Sequence, residues 1–165
     1  MFVAHLAAGD ATSYALTGDG KLYSWGKGKF GALGLDIEDD EDPEGDVWKA
    51  RVIKAFGATA VVTVSAGYQH VAALTKGNRI YLWGRNNHGQ LGLTEENDGQ
   101  TKLVAPYVGE PAELKMRKQE SIMKIVCGHS HTNALIEVTR PDMRTEITGE
   151  SCSEWSAKQS EKAPR

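Results

Sequence analysis

Four stretches of this chain carry side chains whose types and spacing could do chemistry. Gly26-Lys27-Gly28-Lys29-Phe30-Gly31 spells G-x-G-x-x-G, the pattern in which backbone amides at a helix start cradle a pyrophosphate. Cys127-Gly128-His129-Ser130-His131 brings one thiol and two imidazoles together, donors of the kind that hold zinc. From Asp36 to Asp46 the chain is dense in carboxylates, with Asp39, Asp40, Glu41 and Asp42 consecutive. Such a run could do acid–base work or contact a basic partner. The segment Glu113 to Glu120 is basic at its centre, at Lys115, Arg117 and Lys118, and could meet a phosphate or an acidic partner.

Each site needs an element to position it, and the elements come from an internal repeat. The stretch YSWGKGKFGALGL from Tyr23 returns as YLWGRNNHGQLGL from Tyr81. Trp25-Gly26 matches Trp83-Gly84, and Gly31, Leu33 and Gly34 match Gly89, Leu91 and Gly92, with Gln90 where the first copy has Ala32. Upstream, Ala8-Gly9 matches Ala66-Gly67, and Ala15-Leu16-Thr17 matches Ala73-Leu74-Thr75. A third, half copy starts at Cys127-Gly128 and runs through His131, the counterpart of His70, to Ala134-Leu135. Fixed-period self-similarity of this length marks a stacked repeat architecture.

The repeat also weighs the four stretches. No helix signal follows the glycine loop, an acidic run lies downstream, and the second copy lacks the middle glycine. A dinucleotide fingerprint needs strand before and helix after, so the shared glycines read as turn residues and no cofactor is expected. In the Cys127 to His131 cluster, Cys127 stands where Ala66 packs in the previous copy and His131 belongs to the repeat. The spacing is wrong for a four-coordinate site, so these read as structural and no metal is expected. No nucleophile with a base at a nucleophile elbow is visible, so no catalytic residue is assigned. The acidic run reads as a solvated loop and the best candidate for a basic partner. The basic segment reads as a connection between repeat units. Trp25 and Trp83, although shaped for stacking, read as core between units because packing area explains an aromatic in each copy.

Strand signals resolve within each copy. Val61 to Ala66 is a β-branched run, Val71 to Thr75 a second strand, and Arg79 to Trp83 a third. Gly18-Asp19-Gly20 in copy one and Lys76-Gly77-Asn78 in copy two are hairpin turns. A weaker fourth strand is expected at Arg51 to Ile53 and at Val104 to Val108. Four antiparallel strands per unit predict a propeller blade, and one sheet cannot bury both faces without neighbours.

The order Ala-Gly-x-x-His, Ala-Leu-Thr, turn, Tyr-x-Trp-Gly, Gly-Gln-Leu-Gly-Leu resembles the repeat of the regulator of chromosome condensation family. Copy two carries it at Ala66, Gly67, His70, Ala73, Leu74, Tyr81, Trp83, Gly84, Asn86, Gly89, Gln90, Leu91 and Gly92. Copy one departs at Thr12, where histidine is expected, and at Ala32, where glutamine is expected. The resemblance covers about four-fifths of the chain and implies a seven-bladed β-propeller. Positions Gly9, Trp25, Gly26, Gly31, Leu33, Gly34, Gly67, His70, Trp83, Gly84, Gly89, Gln90, Leu91, Gly92, Gly128 and His131 are then structural repeat residues.

The 165 residues hold fewer than three such units. The expectation is an all-β partial propeller arc of about two and a half four-stranded blades, near 2–58, 59–119 and 120–138. Residues 1–138 form the repeat region, and 139–165 a polar tail expected to be disordered. An open arc leaves two apolar end faces. A fragment of a longer propeller is the favoured reading, beside an isoform, an oligomer that completes a ring, or an arc sheltered by another chain. The half copy looks like a closing blade, which in this family is completed from the other end of the chain.

Composition narrows the function. A net charge of −3 gives no basic footprint for nucleic acid. Two cysteines without a C-x-x-C argue for a reducing compartment. The start MFVAHLAAGDA lacks a basic n-region, and no apolar run reaches membrane-spanning length. An intracellular protein, nuclear or cytoplasmic, is expected. The resemblance implies other proteins as partners, among them a Ran-type small GTPase or chromatin. Two readings follow: a non-catalytic interaction scaffold, which leads, and a guanine nucleotide exchange factor, which needs no covalent chemistry. No stretch matches the family's exchange wedge.

Overall fold

The computed structural model describes residues 2–36, 45–97, 100–103, 105–116 and 120–138. All regular elements among them are strands, apart from single 3-10 turns at Lys29–Gly31 and Lys54–Phe56. The first sheet is an antiparallel meander of β1 (Val3–Ala8), β2 (Thr12–Thr17), β3 (Leu22–Gly26) and β4 (Val47–Val52). The second repeats it with β5 (Val61–Ala66), β6 (His70–Thr75), β7 (Ile80–Arg85) and β10 (Tyr107–Leu114). A hairpin of β8 (Thr94–Asn97) and β9 (Gln100–Leu103) lies between β7 and β10 in the chain. The third sheet has two strands, β11 (Glu120–Cys127) and β12 (Thr132–Val138). These are two full blades and the inner half of a third.

The repeat is visible in the register. Ser13 lies opposite Trp25 and Leu16 opposite Leu22 in blade one; Val71 lies opposite Trp83 and Leu74 opposite Ile80 in blade two. The β2–β3 turn uses Gly20 at φ 86°, and the β6–β7 turn puts Asn78 at φ 58° in the same place. Asparagine is among the few side chains that tolerate this left-handed backbone. In each turn a threonine hydroxyl donates to the carbonyl four residues on, Thr17 to Lys21 at 3.0 Å and Thr75 to Arg79 at 3.3 Å.

The core is divided between the two blade–blade seams. Tyr14, Leu16, Leu22, Ile53 and Phe56 from blade one meet Val61, Val64, Val71, Ala73 and Trp83 from blade two. Ala72, Leu74, Ile80, Leu82, Leu91 and Leu93 of blade two meet Ile122 and Ile125 of blade three. Strand β6 is buried along its whole length because alternate side chains enter opposite seams. Burial therefore depends on having a neighbour. Val61 and Val64 are 3% and 2% exposed against blade one, while their counterparts Val3 and Leu6 are 49% and 66% exposed, with no blade before them among the described residues.

The outer strands differ from the sequence expectation. In blade one the fourth strand starts earlier, at Val47, and Ile53 follows it as a buried residue. In blade two the strand runs later, Tyr107 to Leu114, and Val104 lies outside the described residues. The segment from Glu113 is therefore not wholly a connection. Glu113 pairs with Tyr81 across the β7–β10 ladder, and its carboxylate sits 3.3 Å from Arg79 Nη1. Pro111 is tolerated because β10 is an edge strand and its register shifts between Val108 and Ala112. The β8–β9 hairpin was not expected: Thr94-Glu95-Glu96-Asn97 carries no apolar alternation to signal a strand.

Candidate interaction face at the inner turns

The turns between each blade's two innermost strands converge at one end of the arc. They carry the repeat glycines Gly9, Gly67 and Gly128. A shallow depression of about 380 Å³ runs across all three, lined by residues 8–10, 66–68 and 127–129. Backbone bonds lace the turns together: Asp10 N–H donates to Tyr68 O at 3.1 Å, and Tyr68 N–H to His129 O at 3.3 Å. The residue after each repeat glycine thus falls on one row, as Asp10, Tyr68 and His129. The rings of Tyr68 and His129 stack at 4.5 Å and 12°, and His129 Nδ1 lies 2.8 Å from Ser130 Oγ. The row offers one carboxylate and a flat aromatic pair, which suit a cationic or planar side chain of a partner.

The histidines beneath this row have a different task. A Cβ at Gly67 would fall 2.3 Å from the His70 ring, and at Gly128 2.2 Å from the His131 ring, so each imidazole packs on its own turn's glycine. His70 is buried and reaches across the seam to Thr132 Oγ1 at 3.1 Å. Thr132 in turn donates to Gln90 O at 2.8 Å. With the threonine proton so committed, His70 Nε2–H is the donor and Nδ1 stays unprotonated; Nδ1 is buried and has no hydrogen-bond partner among the described residues. Burial holds the His70 pKa below its usual value. Thr12, where histidine was expected in copy one, packs its hydroxyl against Gly9 instead.

Cys127 belongs to the same seam. Its amide donates to Ser65 Oγ at 2.9 Å and its thiol to Ser65 O at 3.2 Å, and burial raises its pKa. His129 and His131 are spent on Tyr68 and Gly128. Among the described residues no group of three or more His, Cys, Asp or Glu could hold a metal ion.

The glycine loop turns its first amides onto the chain itself. Lys27 N–H donates to Ala11 O at 2.8 Å and Gly28 N–H to Asp46 Oδ1 at 3.1 Å, so the chain's own oxygens take these amides. Among the described residues only a three-residue 3-10 turn follows before β4. Gly26 and Gly84 close β3 and the same stage of β7, opposite Thr12 and His70. Gly31, Leu33 and Gly34, like Gly89, Gln90, Leu91 and Gly92, form the outer turn that faces the next blade. Leu33 and Leu91 are buried.

Trp83 fills the first seam. It is fully buried, donates Nε1–H to Ala32 O at 2.9 Å, and meets Tyr14 and Phe56 edge to face. Trp25 is only half-buried. The two tryptophans share a register position, and their exposure differs because the side that Trp83 turns to blade one has no counterpart for Trp25 among the described residues. Asp39, Asp40, Glu41 and Asp42 lie outside the described residues. Sequence reasoning missed Thr132 and Ser65, and it named Asn86 without a structural role. Asn86 is buried, with Oδ1 accepting Leu91 N–H at 3.2 Å. It was visible only as a repeat position. No helix among the described residues is long and apolar enough to cross a membrane.

This geometry agrees with comparison to known proteins. A family profile for the regulator of chromosome condensation (RCC1) repeat matches residues 19–74 and 78–135, and a second RCC1 repeat profile matches 3–32 and 61–90. The chain is similar to the probable E3 ubiquitin-protein ligase HERC4 of Rattus norvegicus, 36% identical over 81% of this chain and 11% of the relative. It is also similar to the ultraviolet-B receptor UVR8 of Arabidopsis thaliana, 37% identical over 79% of this chain and 26% of that one. The chain thus spans only a fraction of the length of these relatives. Among solved structures, Prp20p of Saccharomyces cerevisiae superposes with a TM-score of 0.68 at 20% identity, over 97% of this chain and 34% of that one. Human WBSCR16 superposes with 0.63 at 24% identity, over 82% and 31%. The repeated register, the tryptophan seam and these matches lead to one conclusion: the chain belongs to the RCC1 repeat family and folds as an arc of its propeller.

Proposed function

We propose that this chain is a non-catalytic protein-interaction module whose binding face is the row Asp10, Tyr68 and His129. The observation that carries this reading is the Tyr68–His129 stack, held in the open by backbone bonds between turns. An exposed aromatic pair on a rigid scaffold presents contact area with little ordering cost on binding. Propeller architecture alone does not choose the partner. The test places a photocrosslinking amino acid at position 68 or, as control, at the exposed Ala58 in the connection between β4 and β5, in cells that express the chain. Adducts that form from position 68 and not from 58 support the reading; equal or absent adducts at 68 reject it.

The second reading is exchange activity toward a Ran-type GTPase. It is favoured by the likeness to Prp20p, a protein whose structure was described together with its binding to Gsp1p and histones. The mechanism would be differential binding, in which the propeller face stabilises the nucleotide-free GTPase. Release of labelled GDP from Ran at micromolar chain decides it: acceleration supports exchange, and an unchanged rate leaves the scaffold reading.

A further inference from the structure

The loop after β3 spends its amides within the chain, but its side chains build a cationic site with the neighbouring blade. Phe30 stands in left-handed backbone, φ 59° and ψ 23°. That conformation strains a bulky side chain, and such strain persists where the surroundings hold it for a purpose. Its counterpart in the second copy, His88, does not adopt positive φ, so the repeat does not demand it. The strained backbone achieves a placement. The half-buried Phe30 ring lies 5.1 Å from the Arg85 guanidinium of blade two and 5.6 Å from Lys29 Nζ.

Arg85 is held firmly and by neutral groups. Its Nη1 donates to Gln69 Oε1 at 3.0 Å, and its Nη2 to the Asn87 amide oxygen at 3.2 Å, while the Asn87 nitrogen donates to Pro106 O at 2.8 Å. These contacts leave other guanidinium N–H donors open and the charge unbalanced. Neither Arg85 nor Lys29 has an ion-pair partner among the described residues. Asp46, across the same loop, gives Oδ1 to Gly28 N–H at 3.1 Å. Two like charges drawn to one ring repel each other, and attraction to the ring offsets this only in part. A dianion relieves it. The Arg85 fork suits the paired oxygens of a phosphate, and Lys29, exposed on a flexible stem, can swing to share the same group. The net charge of −3 gives no extended basic field for a nucleic-acid backbone, so the fitting anion is one modified side chain.

We propose that Arg85, Lys29 and Phe30 form a binding site for a phosphorylated side chain, phosphoserine or phosphothreonine, on a segment of a partner protein. The site borders the inner-turn row through Gln69, the chain neighbour of Tyr68, and shares none of that row's residues.

The probe is a fluorescein-labelled peptide with one phosphoserine among glycines and serines, titrated into the full chain and followed by polarisation. Saturable binding is expected. The unphosphorylated peptide, and one with glutamate in place of phosphoserine, should bind about tenfold more weakly. Arg85→Gln should weaken binding by a similar factor, and Lys76→Gln, in the exposed turn between β6 and β7, should leave it unchanged. Phe30→Asn keeps a residue that tolerates left-handed backbone and removes the ring; it should weaken binding severalfold. No binding, equal binding of the unphosphorylated peptide, or an equal loss in Lys76→Gln overturns the proposal. So does equal or tighter binding of the glutamate peptide or of a short single-stranded DNA. Should Arg85→Gln not fold, Lys29→Gln, at an exposed side chain, carries the same test.

Discussion

His70 shows how one side chain couples fold to pH. It is buried, neutral, and clips blade two to Thr132 of blade three. Its folded pKa lies below the ordinary 6.5, so the unfolded chain binds the proton more readily. Stability from this group is therefore complete above pH 6.5 and declines as pH falls from there toward the folded pKa. Melting temperatures of the native chain should drop below pH 6.5, and His70→Gln should flatten that part of the profile while costing about 1–3 kcal/mol at neutral pH. The two tryptophans give a second residue-scale test. Trp83→Ala removes a fully buried indole and should cost about 3–5 kcal/mol in urea denaturation. Trp25→Ala, at a half-buried position, should cost roughly 1–2 kcal/mol. Similar losses at the two positions would contradict the seam geometry.

At the scale of the element, position in the stack outweighs the strand's own sequence. β1, β5 and β11 carry apolar residues at matched places: Val3 and Leu6, Val61 and Val64, Ile122 and Ile125. The second and third pairs are buried and the first is exposed. Val64→Ser should destabilise by about 1.5–3 kcal/mol, whereas Leu6→Ser should stay within about 0.5 kcal/mol of the native chain, both read by chemical denaturation. Strands with β-branched alternation, such as β5 and β6, were legible in the sequence. The β8–β9 hairpin was not, because its strands are short and polar. The outer strands β4 and β10 were found but misplaced at their ends, since an edge strand's limits are set by what it pairs with.

For the molecule as a whole, the two seams form a line rather than one centre. Blade two shares a seam with each neighbour, while blade three contributes two strands to one seam. Stacked units of this kind have stability that is local and nearest-neighbour in origin. Native-state hydrogen exchange should therefore find β11 and β12 opening at lower free energy than β6, which is buried on both faces. Uniform protection across all three blades would show a single cooperative unit instead.

The amino-acid sequence by itself determined the repeat, its period, its turns and the choice of an all-β arc, because these rest on local propensity and on spacing along the chain. It also read the glycine loop as a turn rather than a nucleotide site, since the second copy dispenses with the middle glycine. Tertiary structure alone decided which equivalent residues are buried, and it gathered Asp10, Tyr68 and His129 into one row. Residues 58 and 61 apart meet only when blades stack. Whether an apolar position ends in a seam or in water depends on the neighbour that the stack supplies.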